Sequence, residues 1–315
     1  MSKRHTVIVG ATLSLFMLFF FGSSVRAEEQ HDLSANVSSF SAPAERQNST
    51  SDSSTDEKNV KKADPDQLAV SEASEGKVLL DEKFDGSSLD TSVWNYCHWW
   101  NDKGCTIASN NELEWYLPEQ VSVKSGTLRL SAKQAPTVGA DKAVFDYASG
   151  MVTTGPQQYG QRPKLAFTYV RVDVKFKVPE GQGLWPAIWL LPASEESLPE
   201  IDIMEILGHD TDRLRMKLHP KDRSLDAVGQ KYRLPKGFGF ADTWHTVSLD
   251  WRPDTLVMYL NGVKVWELHS DLVPSEPMYL VMNLAVGGDY PGAPDDSTVF
   301  PATFQVERVR ITGYE

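Results

Sequence analysis

Glu200-Ile201-Asp202-Ile203-Met204-Glu205 is the stretch on which the reading of this chain turns. It sets acids into an otherwise apolar run, where a strand tolerates them poorly unless they serve a purpose. Side chains in a strand alternate faces, so Glu200 and Asp202 point one way while Ile201 and Ile203 point into a core. Glu205 has the wrong parity for the Glu200 face. A β-bulge at Ile203 or Met204 corrects this, because one extra residue flips the register and returns Glu205 to the acid side.

Working outward, Leu184 to Leu191 reads as a second strand with Trp185 and Trp189 on one face. Ala166 to Val178 is the clearest alternation, with Val170, Val172, Val174, Phe176 and Val178 separated by Arg171, Asp173, Lys175 and Lys177. Thr255 to Leu260 and Val263 to Leu268 flank Asn261-Gly262, a dipeptide that supplies the positive φ angles of a tight hairpin. Further strands are expected at Leu214 to Leu218, His245 to Trp251, Met278 to Val286 and Phe304 to Ile311, with no long amphipathic helix between them. The class is all-β, and residues 77–315 are compatible with one domain of that kind.

With the bulge counted, the Glu200 and Glu205 backbones stand roughly 13 Å apart, and inward-leaning side chains bring their carboxyls to about 5 to 6 Å. That separation suits glycoside hydrolysis with retention. A solvated acidic strand or a calcium site is the plainer reading. Against it stand the nearby tryptophans, since the apolar C–H faces of a sugar stack on aromatic rings; either ring taken alone reads equally well as core.

The acid run, led by Gly183-Leu184-Trp185-Pro186-Ala187-Ile188-Trp189-Leu190-Leu191-Pro192, resembles glycoside hydrolase family 16 in its bulged-strand form. Asn111-Glu112-Leu113-Glu114-Trp115-Tyr116, Met282-Asn283-Leu284-Ala285-Val286-Gly287-Gly288 and Tyr290-Pro291-Gly292 are also similar to that family, so the resemblance covers about residues 78–315. It implies a concanavalin-like β-jelly-roll sandwich with an open substrate cleft, with Glu200 as nucleophile, Asp202 as its helper and Glu205 as acid/base. Trp185, Trp189, His219, Asn111, Asn283, Trp99 and Trp100 are the candidate sugar contacts. The implied activity is endo-acting, retaining hydrolysis of a β-linked polysaccharide, either a β-glucan or an acidic exopolysaccharide. Transglycosylation, or a noncatalytic glycan-binding module on the same sandwich, are the competing readings; the complete acidic triad argues against the second.

Lys3 and Arg4, an apolar core from Val7 to Phe21 and Val25-Arg26-Ala27 give residues 1–27 the pattern of a secretory signal. The expectation is a secreted or periplasmic monomer, free of the membrane after cleavage. Residues 28–76, rich in Ser and Asp and almost free of aromatics, read as a disordered linker. Cys97 and Cys105, the only two cysteines, are expected to pair after export and to stabilise by roughly 2 to 4 kcal/mol. Their loop holds Trp99 and Trp100, which either present a ring to sugar or pack beneath it. A formal net charge of −12 with no basic run speaks against nucleic acid, and no phosphate loop or clustered Cys/His set points to a cofactor or metal.

Arg213, Arg215, Lys217 and His219 share one face of the strand after the acid run. On a cleft face they would favour an anionic polysaccharide; on an outer flank they are solvated charges. Arg213 and Arg215 are read as solvated, and His219 as a cleft residue, because its position resembles a family histidine near the catalytic centre. Members of family 16 often hold calcium on the convex face through an acid just before an N-terminal Phe and an Asp in the last strand. Lys83 precedes Phe84 here and Glu307 stands at the Asp position, so an ion pair worth about 0 to 1 kcal/mol is expected in place of the ion.

Overall fold

The computed structural model describes residues 76–97, 105–140 and 142–314. The expected signal segment 1–27, nearly all of the 28–76 linker, and Trp99 and Trp100 lie outside the described residues. In chain order the strands are β1 (Val78–Glu82), β2 (Glu114–Tyr116), β3 (Val121–Val123), β4 (Leu128–Val138), β5 (Val144–Ser149), β6 (Met151–Thr153), β7 (Val170–Lys177) and β8 (Leu184–Pro192). They continue with β9 (Glu200–Glu205), β10 (Arg213–His219), β11 (Val228–Arg233), β12 (His245–Arg252), β13 (Thr255–Leu260), β14 (Val263–His269), β15 (Met278–Val286) and β16 (Ala302–Gly313). Two short 3-10 turns, Ala108–Asn110 and Pro118–Gln120, flank β2.

These strands form a sandwich. One sheet runs β14-β13-β12-β7-β16-β4-β5-β2, with β1 added to β16 and β3 to β4; the other runs β11-β10-β9-β8-β15-β6. The strict alternation of β7 explains its place at the middle of the first sheet, with its valines and Phe176 fully buried and its charged residues half-buried on the outer side. Leu249 and Trp251 of β12, Phe304 and Ile311 of β16, and Leu280 and Met282 of β15 join them between the layers. Burying each such side chain stabilises by roughly 1.5 to 3 kcal/mol, which makes this shared core the dominant support of the cleft-bearing sheet. At the β13–β14 hairpin Asn261 and Gly262 take φ of 50° and 79°, the left-handed pair that the Asn-Gly dipeptide was expected to supply. Cys97 and Cys105 form a disulfide with Cα atoms 5.3 Å apart.

The outer face of the first sheet overturns one expectation. Lys83 and Glu307 do not pair: the β16 register against β7 shifts between Val306 and Arg308, making Glu307 the extra residue of a bulge. Its carboxylate turns to Lys175 on β7, 2.5 Å away, while Arg308 bonds Asp81 on β1 through Nε at 2.8 Å. The bulge thus redirects the acid to a neighbouring strand.

Candidate active site

The second sheet has one face on the core and the other on a cleft. In β8, Leu184, Ile188 and Leu190 enter the core, while Trp185, Ala187 and Trp189 line the cleft. In β15, Leu280, Met282 and Leu284 face inward and Asn283 lines the cleft. In β10, Leu214, Met216 and Leu218 are core, and Lys217 and His219 are cleft. The period of two in each strand is what sorts apolar from polar residues here.

β9 obeys that period only until Ile203. Glu205 lies opposite Ala187 and Arg215, whereas Asp202 lies opposite Trp189 and Lys217. Each neighbour advances two positions where β9 advances three, so the extra residue falls at Ile203-Met204, and both of these side chains are fully buried in the core. Glu200, Asp202 and Glu205 consequently line one cleft of about 220 Å³.

The three acids occupy different electrostatic settings. Asp202 is buried, with Oδ2 3.2 Å from His219 Nε2, which also stands 3.9 Å from Glu200 Oε1. Burial pushes the Glu200 carboxyl well above the usual range, and the charge of Asp202 and the hydrogen bond between the two add to this. Glu205 is pushed up to about 8, first by burial and then by Asp202, with Lys217, Arg215 and Trp185 drawing it back down. Lys217 Nζ lies 4.0 Å from Glu205 Oε2 and 5.2 Å from the centre of the Tyr290 ring, and that ring meets Trp185 edge-on at 5.1 Å. Glu200, Asp202 and His219 bring ligand atoms within 4.8 Å of one another, a spacing open to a cation but accounted for by the Glu200–Asp202 hydrogen bond and the imidazole contact.

Beside this cluster sits a second acid pair, noticed in the sequence only as part of a resemblance. Glu112 and Glu114 are both buried. Glu112 Oε2 accepts from the Ile107 amide at 3.3 Å and from the Tyr116 hydroxyl at 3.1 Å, and its Oε1 accepts from Asn110 Nδ2 at 2.9 Å. Glu114 Oε2 accepts from the Val286 amide at 2.9 Å. Burial, reinforced by the Glu112 charge and the hydrogen bond between the two carboxyls, holds Glu114 protonated far above the usual range. From Tyr116 the network continues into the cleft floor: Asn283 Nδ2 donates to the Tyr116 oxygen at 3.0 Å, and Trp189 Nε1 donates to Asn283 Oδ1 at 2.8 Å.

Of the sequence candidates, Trp185, Trp189, His219 and Asn283 line the cleft. Asn111 does not; it follows the first 3-10 turn in a left-handed conformation, φ 53°, which aims its Nδ2 at Asp289, 3.0 Å away. Its neighbours Ser109 and Asn110 line the cleft instead. Arg215 is likewise not solvated: it is buried, with Nη2 2.5 Å from Asp210 Oδ2 and Nη1 3.2 Å from the Arg213 carbonyl. Arg213 is half-buried and shares the same aspartate at 3.3 Å. Glu112, Lys217 and Tyr290 are cleft residues that had not been singled out as contacts. The alternation on β10 already carried the signal for Lys217, two residues before His219.

A two-sheet β sandwich whose acids and tryptophans converge on one outer face defines a jelly-roll class with an open cleft. The model of the glycosyl hydrolases family 16 matches residues 108–300, and the chain belongs to that family. It is 32% identical over 265 residues to glucan endo-1,3-beta-glucosidase A1 of Niallia circulans, a match covering 74% of this chain and 37% of that protein. To endo-1,3-1,4-beta-glycanase EglC of Rhizobium meliloti (strain 1021) it is 30% identical over 238 residues, covering 72% and 48%. The chain thus spans about a third to a half of the length of these curated relatives. Among solved structures, the endo-beta-1,3-glucanase of Pyrococcus furiosus superposes with a TM-score of 0.69 at 29% identity, covering 76% of this chain and 95% of that one.

Proposed function

We propose that the chain is an exported, endo-acting and retaining hydrolase of β-1,3- or mixed β-1,3-1,4-glucan, with Glu200 as nucleophile, Asp202 as its partner and Glu205 as acid/base. The observation that carries this reading is the extra residue at Ile203-Met204, which gives Glu200, Asp202 and Glu205 a common face in the cleft. The names of the family relatives favour glucan over other β-glycans.

In the first step Glu200 forms a bond to the anomeric carbon as the glycosidic C–O bond breaks, and the Glu205 proton passes to the leaving oxygen. Asp202 takes up any proton held on Glu200, which frees the attacking oxygen. Water then attacks the same carbon, Glu205 takes its proton, and Glu200 departs as a carboxylate. Trp185 supplies apolar surface for a sugar ring, while Trp189 is buried beneath the cleft floor.

Incubation with β-1,3-glucan, mixed-linkage glucan, galactan and an acidic exopolysaccharide tests the reading. New reducing ends from the glucans, with the β-anomer appearing first by NMR, are expected. Binding without new ends would replace it by the glycan-binding module, and products longer than the donor would mark transglycosylation.

A further inference from the structure

We propose that Lys217 is a positioning residue that acts through Glu205: its ammonium competes for the Glu205 carboxyl and so sets the pH at which that group passes from acid to base. The proposal deepens the reading of Glu205 as acid/base and rests on it.

The geometry singles out this lysine. Glu205 is buried, and its Oε2 accepts no hydrogen bond among the described residues. The nearest cation to that oxygen is Lys217 Nζ at 4.0 Å, on the strand paired with β9. Two other polar side chains of β10 are committed elsewhere, Arg215 to Asp210 at 2.5 Å and His219 Nε2 to Asp202 at 3.2 Å. Lys217 makes no other ion pair among the described residues. Its ammonium stands over the Tyr290 ring, which meets Trp185 edge-on, and this places its charge at the cleft wall.

Every wall around Glu205 contributes to its charge state. Asp202 and Glu200 on its own strand oppose ionisation; Lys217 and Arg215 on β10 favour it, and Trp185 on β8 does so as well, while Tyr290 is neutral at ordinary pH. Burial and Asp202 outweigh the cations, which leaves the group at about 8. A retaining cycle requires Glu205 to release its proton and then take one from water, and an unopposed carboxyl in this site would hold its proton too firmly for the first half.

The test reads Glu205 itself. In protein labelled with 13C at the glutamate side-chain carboxyl, the Glu205 resonance is the one absent from Glu205→Gln. Its midpoint is followed by NMR in the parent protein, in Lys217→Met, in Lys217→Arg, and in Lys221→Met as a charge control, since Lys221 pairs with Glu276. The expected result is an upward shift of roughly one unit in Lys217→Met, with Lys217→Arg and Lys221→Met within a few tenths of the parent. On a β-1,3-glucan the alkaline limb of kcat/KM should move by the same amount. An unchanged or lowered midpoint in Lys217→Met, or an equal shift in Lys221→Met, overturns the proposal. Because the titration needs no turnover, a midpoint that shifts in a protein inactive on every glycan would sink the hydrolase reading and leave the electrostatic coupling standing.

Discussion

Two acid clusters share the cleft, and they differ in what surrounds them. Glu112 and Glu114 are enclosed by donors, with the amides of Ile107 and Val286, the Asn110 amide group and the Tyr116 hydroxyl all directed at their oxygens. Glu200, Asp202 and Glu205 have few such donors; instead they face His219, Lys217 and open cleft. Burial raises proton affinity in both places. The difference is that Glu112 and one oxygen of Glu114 are held by a fixed set of donors, whereas Glu205 Oε2 has no such donor among the described residues, so like burial is braced in one place and left open to a substrate in the other.

Glu200→Gln tests the contrast most severely. Removing the attacking charge should lower hydrolysis by roughly 10³-fold or more while sugar binding persists, measured as reducing ends and by calorimetry. Near-normal turnover would erase the distinction between the clusters. Glu205→Ala should follow, with a loss on natural glucan far exceeding that on a substrate whose leaving group needs no proton; equal losses on both would contradict the acid role. The same group fixes the pH dependence. Glu205 must be protonated in the free enzyme, so the alkaline limb of kcat/KM should fall as pH rises through about 8, while protonation of Glu200, whose proton affinity is also raised, sets the acid limb.

Glu114→Gln addresses the sealed pair. A carboxyl whose proton affinity is raised by folding contributes stability that is complete below its unfolded value and is lost as pH climbs toward the folded one. The parent protein should therefore lose stability as pH rises above the ordinary carboxylate range, and Glu114→Gln should lose less of it over the same rise. Melting temperatures of the two proteins across neutral and alkaline pH measure this; parallel losses would mean that Glu114 carries no buried proton. The smallest effect is expected at Asn111→Ala, whose exposed bond to Asp289 lies outside the cleft. Its kcat/KM should stay within about twofold of the parent.

The sequence showed much of the candidate site because each signal there is local. Alternation located β7, β8, β10 and β15, parity exposed the extra residue in β9, and Asn-Gly marked a hairpin. The first six strands escaped because several are only three residues long and owe their form to partners far along the chain, as β6 does to β15. Arg215 and Glu307 failed for a related reason: alternation gives the face of a side chain but not the acid or lysine that a bulge or a loop brings to meet it. Asn111 was one residue from the cleft residue Asn110, since a left-handed residue at the end of a turn breaks any period.

The most direct test of the account is covalent. A 2-deoxy-2-fluoro β-1,3-linked glucoside with a good leaving group should accumulate as a glycosyl-enzyme, because the fluorine slows its hydrolysis more than its formation. Peptide mapping by mass spectrometry should place the label on Glu200. A label on Glu205, Glu112 or Glu114, or turnover without any label, would contradict the division between the two clusters.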